Sequence, residues 1–228
     1  LFDGLDINSV LKALTFLLAM VVSLSFHEFA HAWTAKHFGD DTAEKEGRLT
    51  LNPLPHLDPW GSVIIPFFGF LLVGGLIGWA KPVPVQISNL KNPKRDYVLV
   101  ALAGPFSNIL ACLFFSVVFV FIGKMGMFPE ETSFFFPLIN LVLAGILVNA
   151  ILAIFNLIPL PPLDGATLLE RFLPIKWEQK YTKYIVPNGF MILLMLIFAG
   201  LGNWIIVGAQ IIQSICLAVP TLIVGLLN

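Results

Sequence analysis

The sequence predicts an all-α polytopic membrane protein: three long helices, a re-entrant β-hairpin between the first two, and two further transmembrane helices at the C-terminal end. Three observations carry this. The 228 residues are 57% hydrophobic and only 12% charged, with mean hydropathy +0.89, whereas a water-soluble domain carries about 25% charged residues. Apolar runs of about 20 residues, the length that crosses a hydrocarbon core, recur along the chain. One such run, 61–80, is broken by Pro66, Gly69, Gly74, Gly75 and Gly78, residues that interrupt a straight spanning helix.

The first helix is expected over about Val10 to His37, ending at Gly39 as its C-cap. No basic leader or cleavage site flags it as a signal peptide, so it reads as a retained span. The 40–58 segment carries both charge signs and contains Leu49-Thr50-Leu51, which alternates as in a short strand. Gly61 to Ala80 is then expected to enter and leave the bilayer on one side as a hairpin with strand-like arms. Lys81-Pro82-Val83-Pro84-Val85 follows as an extended stretch. Such backbone is tolerated in a membrane only where protein or a water-filled cavity covers it.

The next helix is expected over about Asp96 to Gly123. Small residues open it, and Asn108 among them needs a partner inside the bundle. Another runs from about Phe134 to Leu157, with Gly145, Asn149, Ala153 and Asn156 on one inward face, until Pro159 stops it. Two apolar segments, about Pro187 to Leu201 and Trp204 to Leu227, end the chain without a charged residue. The expected organisation is one membrane domain over 1–228, with a core at 10–165 and C-terminal helices at 187–227. Cys112 and Cys216 sit in apolar runs and read as buried small hydrophobes.

Loop charge sets the topology. The loops around Lys91 and Arg171 are basic and the loop around Glu130 is acidic, so the first two are expected in the cytoplasm and the third outside. The protein is then multi-pass in the cell membrane, with Asp164 on the cytoplasmic side. A net charge of −1 without a basic cluster gives no reason to expect nucleic acid. Nothing in the sequence sets an oligomeric state.

Chemistry concentrates at His27-Glu28-Phe29-Ala30-His31. Positions four apart share a helix face, so His27 and His31 can bind one metal from the same side, and Glu28 can act on a metal-activated water without being a ligand. In a soluble helix this pattern often arises by chance. In a membrane helix the polar groups are costly, about 2.5–3.5 kcal/mol for each charge at the centre, and zinc compensates them. From Val10 to Phe26 the rise is roughly 25 Å against a core of about 30 Å, which keeps the motif within the bilayer near one face.

A catalytic zinc needs a third ligand. His37 would point roughly 80° away from His27 if the helix continues, and Thr34 stands where a turn after the motif would need Gly. Glu44 and Glu46 read as a solvated loop. His56, near the hairpin, is a rival, but a hydrogen-bonded loop histidine is the simpler reading. Asp164 is best placed, a lone carboxylate in the Pro159–Gly165 loop at the end of an inward-facing helix.

With these residues in view, the chain resembles the site-2 protease family of intramembrane zinc metalloproteases, in its compact prokaryotic branch without a PDZ insertion. The resemblance rests on His27–His31, on Asn156 with Pro161-Pro162-Leu163-Asp164-Gly165, on Gly47–Pro53, on Gly78–Val85, and on Ala103-Gly104-Pro105 with Asn108. It implies that His27, His31 and Asp164 bind one Zn2+, that Glu28 activates water, and that Asn156 holds substrate or the oxyanion. It also implies a three-helix catalytic core with a membrane-embedded β-hairpin, acting on transmembrane protein substrates within the lipid bilayer. A zinc carrier or an inactive relative would use the same ligands, but neither needs a base at Glu28.

Overall fold

The computed structural model describes residues 7–73, 78–129 and 135–226. Its frame is a bundle of three long helices: α1 (Ile7–His37), α4 (Pro93–Lys124) and α5 (Phe136–Asn156). Between α1 and α4 lie two short helices, α2 (Thr42–Lys45) and α3 (Ile65–Val73). After α5 come α6 (Asp164–Phe172), α7 (Ile175–Lys180), α8 (Gly189–Leu196) and α9 (Gly202–Leu226). Helices α1, α4 and α5 pack against one another in all three pairs. α9 lies along α4 and α5, and α6 against α4.

The bundle's polarity is that of a membrane protein. On α1 the stripe Met20, Leu24, His27, His31 and Ala35 is buried, while Leu11, Leu14, Leu18, Phe26 and Trp33 are exposed. Large apolar side chains on the outside and small or polar ones inside are what lipid contact selects. Four stretches are long and apolar enough to cross a bilayer: Ile7–His37, Pro93–Lys124, Phe136–Asn156 and Ile175–Gly225. The last is 51 residues long, which as one straight helix would measure about 76 Å, more than twice the hydrocarbon thickness. It breaks at Gly200, whose φ is +105°, at the end of the first of the two C-terminal segments expected from sequence.

α1 ends as expected. Gly39 has φ +108°, Asp40 N–H donates to Ala35 O (2.9 Å) and Gly39 N–H to Lys36 O (3.0 Å), the hydrogen-bond pattern of a Schellman cap. Asp40 then points inward. It accepts from Gln86 N–H (2.7 Å), Asn89 Nδ2 (3.1 Å), Thr42 N–H (3.1 Å) and the Thr42 hydroxyl. Burial opposes the charge on Asp40, but these donors prevail and hold its carboxyl below the usual carboxylate range. The end of α1 is thereby fastened to the segment that precedes α4.

The re-entrant segment differs from its expected form. Its first arm is helical: Asp58 caps a π-turn at Pro59–Ile64 by accepting from Trp60 and Gly61 N–H, and the turn runs into α3. The near-continuous apolar sequence from Ser62 to Val73, with no period-two alternation, suits a helix. Pro59 at its first turn costs nothing, because that N–H has no helical partner. Gly74 to Ile77, where the hairpin's tip was expected, lie outside the described residues. The second arm, Gly78 to Gln86, is neither helix nor strand and joins no sheet; its Lys81-Pro82-Val83-Pro84 sequence is that of an extended chain. Among the described residues there is no strand, and Leu49–Leu51 is an irregular bend.

The two ends of the segment nevertheless meet. Trp79 N–H donates to Gly61 O (2.9 Å) and Ser62 Oγ to Trp79 O (2.8 Å), while Lys81 N–H donates to His56 O (2.9 Å). A Cβ on Gly78 would overlap the Gly61 carbonyl, so the crossing needs glycine there. Single cysteines at Asn52 and Asn89 are therefore expected to react with a membrane-impermeant reagent from the same face of sealed vesicles. Labelling from opposite faces would turn the segment into a full crossing.

Candidate metal centre

His27 and His31 occupy successive turns of α1, and Asp164 opens α6 just after the proline-rich loop. The three converge. His27 Nε2 lies 3.0 Å from His31 Nε2 and 3.2 Å from Asp164 Oδ2, and His31 Nε2 lies 3.4 Å from Asp164 Oδ1. Among the described residues this is the group of histidine and acidic side chains close enough to share a metal ion.

The other ring nitrogens show which atoms face the centre. His31 Nδ1 lies 2.7 Å from Val100 O, a backbone carbonyl that can only accept. His27 Nδ1 lies 2.7 Å from Asn108 Oδ1. Both Nδ1 atoms are therefore placed as donors, which leaves both Nε2 atoms, turned inward, as the ones to present lone pairs to a metal. Asp164 Oδ2 is buried and accepts no hydrogen bond. Three groups with lone pairs converge here, and a cation is one partner able to join all three. Tetrahedral zinc, with bonds of about 2.0–2.2 Å to nitrogen and oxygen, sets its ligand atoms about 3.4 Å apart, close to the spacings here. Two imidazoles and one carboxylate suit zinc and leave a position open for water.

Space for an ion exists because of Gly104. A Cβ built there would overlap His31 Nε2 and His27 Nε2. The missing side chain lets α4 approach α1 at the level of the imidazoles. Pro105, the next residue, removes an N–H from the same turn, beside the Val100 carbonyl that His31 uses. The sequence showed these small residues as a packing surface; their closeness to the imidazoles needs the three-dimensional register of α1 against α4.

Glu28, on the neighbouring face of α1, is buried, and its Oε2 accepts from Val83 N–H (2.8 Å) on the extended arm. Asn156 is half-buried at the end of α5, and its amide donates to Leu152 O of its own helix (3.1 Å). His56 is fully buried and bonded to Thr50 O (2.9 Å), a loop histidine away from the metal group. His37 stacks on Trp33 at 5.9 Å and is exposed. Glu44 pairs with Lys36 on the surface (2.6 Å). Of the four candidates for a third ligand, Asp164 alone stands with the two motif histidines.

Sequence reasoning missed Arg48 and Asp40. Arg48 is buried and donates to Lys81 O (2.7 Å), and Asp40 accepts from Gln86 N–H. Both hold the extended arm beside Glu28. Each lies in a segment of mixed charge that reads as solvated, and only burial distinguishes it.

The family model of peptidase family M50 matches residues 15–139 and 121–196. The Bacillus subtilis protein named "Putative zinc metalloprotease YwhC" is 40% identical over 194 residues, 83% of this chain and 82% of its own. Rip2 of Mycolicibacterium smegmatis, given the same description, is 32% identical over 185 residues, 81% of this chain and 67% of its own. MJ0611 of Methanocaldococcus jannaschii, again so described, is 31% identical over 170 residues, 74% of this chain and 75% of its own. No solved structure matches the chain.

Zinc content after gentle purification tests the ligand set. Asp164→Ala is expected to be depleted in zinc, and His37→Ala and His56→Ala to retain it. Full zinc in Asp164→Ala with loss in His56→Ala would move the third ligand to the 50–58 loop. Gly104→Ala is expected to fold and yet lose zinc, since its methyl group occupies the space between the imidazoles; wild-type zinc content in that variant would show that the ion binds elsewhere.

Proposed function

The chain belongs to peptidase family M50, the site-2 protease family, and on that premise we propose that it hydrolyses peptide bonds inside the transmembrane segments of other membrane proteins. It is a multi-pass membrane metalloprotease, and its cofactor is zinc. The observation that carries the finer reading is the place of the metal group: two of its three side chains lie on α1, a helix apolar and long enough to span, and both are buried in the bundle.

In this reading His27, His31 and Asp164 hold the ion, within a core at 10–165 to which the C-terminal helices are joined as one domain. When bound, zinc supplies Lewis acidity to a water and to the scissile carbonyl. Glu28 takes the proton of that water and returns it to the leaving amine. The Val83 N–H holds one Glu28 oxygen and leaves the other free for that exchange. Asn156 turns its amide from Leu152 O to the substrate carbonyl, where a donor favours developing negative charge. The basic loops around Lys91 and Arg171 support the reading that this end of the bundle faces the cytoplasm across the cell membrane.

The substrate must be extended at the cut, because a helical peptide bond is enclosed by its own hydrogen bonds. Leu49–Leu51 and Pro82–Val85 are the two segments whose sequence suits an edge to hold it, but Pro82–Val85 carries two prolines without N–H groups, and its Val83 N–H is already bonded to Glu28.

Glu28→Gln is expected to retain zinc and lose about 10²–10⁴-fold in cleavage rate, the usual contribution of a general base. Cleavage at wild-type rate by the purified variant would remove Glu28 from the mechanism. In a reconstituted assay, replacing Gly or Pro near the cut of a substrate helix by Leu is expected to slow hydrolysis, and equal cleavage of an uninterrupted poly-Leu helix would count against an extended substrate.

A further inference from the structure

Asn149 and Ser23 touch neither the metal group nor any surface, yet both are fully buried among apolar neighbours in the middle of the bundle. In hydrocarbon an amide without partners costs several kcal/mol, so their bonding defines what they do. Asn149 Nδ2 donates to Gly145 O (2.8 Å) and to Ser23 Oγ (2.8 Å). Ser23 Oγ in turn donates to Ala19 O (2.7 Å). Asn149 Oδ1 accepts from Asn108 Nδ2 (2.9 Å), and Asn108 Oδ1 faces His27 Nδ1 (2.7 Å).

The direction of this chain is fixed at its far end. Gly145 O and Ala19 O are backbone carbonyls and can only accept. Gly145 O therefore requires the NH₂ end of Asn149 to face it, and Ser23, whose proton goes to Ala19 O, is left to accept from the same NH₂. Asn149 must then turn its carbonyl to Asn108. Asn108 must answer with its NH₂ and turn its own carbonyl to His27. His27 Nδ1 is left with one role, that of donor, and its Nε2 lone pair is committed to the centre.

We propose that Asn149, with Ser23 behind it, is a positioning residue that acts through Asn108 to hold His27 in the single tautomer and orientation able to bind the metal. It rests on the reading of His27 as a ligand. Three helices contribute to the relay, so the pairing of α1, α4 and α5 sets the chemistry of the imidazole as well as the shape of the site. His31 has no such relay: its Nδ1 donates straight to Val100 O.

The test is zinc affinity of the full-length protein in detergent or nanodiscs, by competition with a chelator. Asn149→Leu and the smaller Asn149→Ala are expected to weaken zinc by about 10–100-fold, the range for lost support of a ligand. In an Asn108→Ala background the Asn149 substitution is expected to add less than about twofold, because the path is already cut. Ser116→Ala, which removes another buried hydroxyl of α4, bonded to Cys112 O, is expected to leave affinity unchanged. In ¹⁵N-histidine spectra of the zinc-loaded protein, the His27 Nδ1–H is expected to be hydrogen-bonded and slow to exchange in the wild type, and to shift and exchange faster in Asn149→Ala. Wild-type affinity in both Asn149 variants, losses that multiply in the double variant, or an unchanged His27 spectrum in Asn149→Ala would each overturn the proposal. Failure of the wild type itself to bind zinc, or full binding by His27→Ala, would overturn the ligand reading instead.

Discussion

The rest of the structure depends on one constraint: polar groups inside a hydrocarbon layer must find all their partners within the protein. His27, Glu28 and His31 on a spanning helix violate that condition severely if left alone. Each is answered. Asn108 and Val100 of α4 take the two Nδ1 protons, Asp164 faces the two Nε2 atoms, and Val83 takes a Glu28 oxygen. What stays unanswered is the group of two Nε2 atoms and a carboxylate at the centre, whose spacing fits a zinc ion.

The extended arm meets the same constraint by another route. Its donors at Trp79, Lys81 and Val83 alternate, and each finds an acceptor: Gly61 O, His56 O and Glu28 Oε2. Pro82 and Pro84, which flank Val83, have no N–H to satisfy. Arg48 supplies donors to the Lys81 and Pro82 carbonyls, and Ser62 supplies one to Trp79 O. A strand would normally obtain these bonds from a sheet. Here acceptors from α1, from the 50–58 loop and from the π-turn do so. This explains why a segment with strand-like sequence is extended without being part of a β-hairpin.

Much of this was legible in the sequence, and the limits are physical. The three long helices and the Gly39 cap follow from apolar length and from glycine's access to positive φ, both local properties. The pairing of His27 and His31 follows from helical spacing. Asp164 was singled out by elimination, as a lone carboxylate after an inward-facing helix, and it lies beside the two histidines. The first arm of the re-entrant segment was misread, because scattered Gly and Pro residues look the same whether they break a helix or start one. Pro59 starts a helix, and Gly61 and Gly78 serve the crossing of the two arms. Asn108 was known to need a partner, but which one depends on the register between α1, α4 and α5. No one-dimensional pattern encodes that register.

The division of the site between elements has a further consequence. Both histidines and Glu28 share one long helix, so their backbone spacing is set by α1, while Asn108, Val100 and Val83 orient the side chains. Asp164 belongs to a short helix that packs on α4 and follows a loop anchored by Tyr181, whose hydroxyl donates to Pro159 O (3.1 Å). The carboxylate is therefore the ligand whose position depends on how the segment after α5 is docked. A metal that joins it to α1 ties the end of α5 to the start of the chain, and its binding free energy adds to the stability of that docking. The reverse holds by linkage: whatever loosens α6 from α4 weakens the metal site, although α1 keeps both histidines in place. With a metal shared between Asp164 and α1, its binding and the docking of the 157–172 segment would be two readings of one equilibrium.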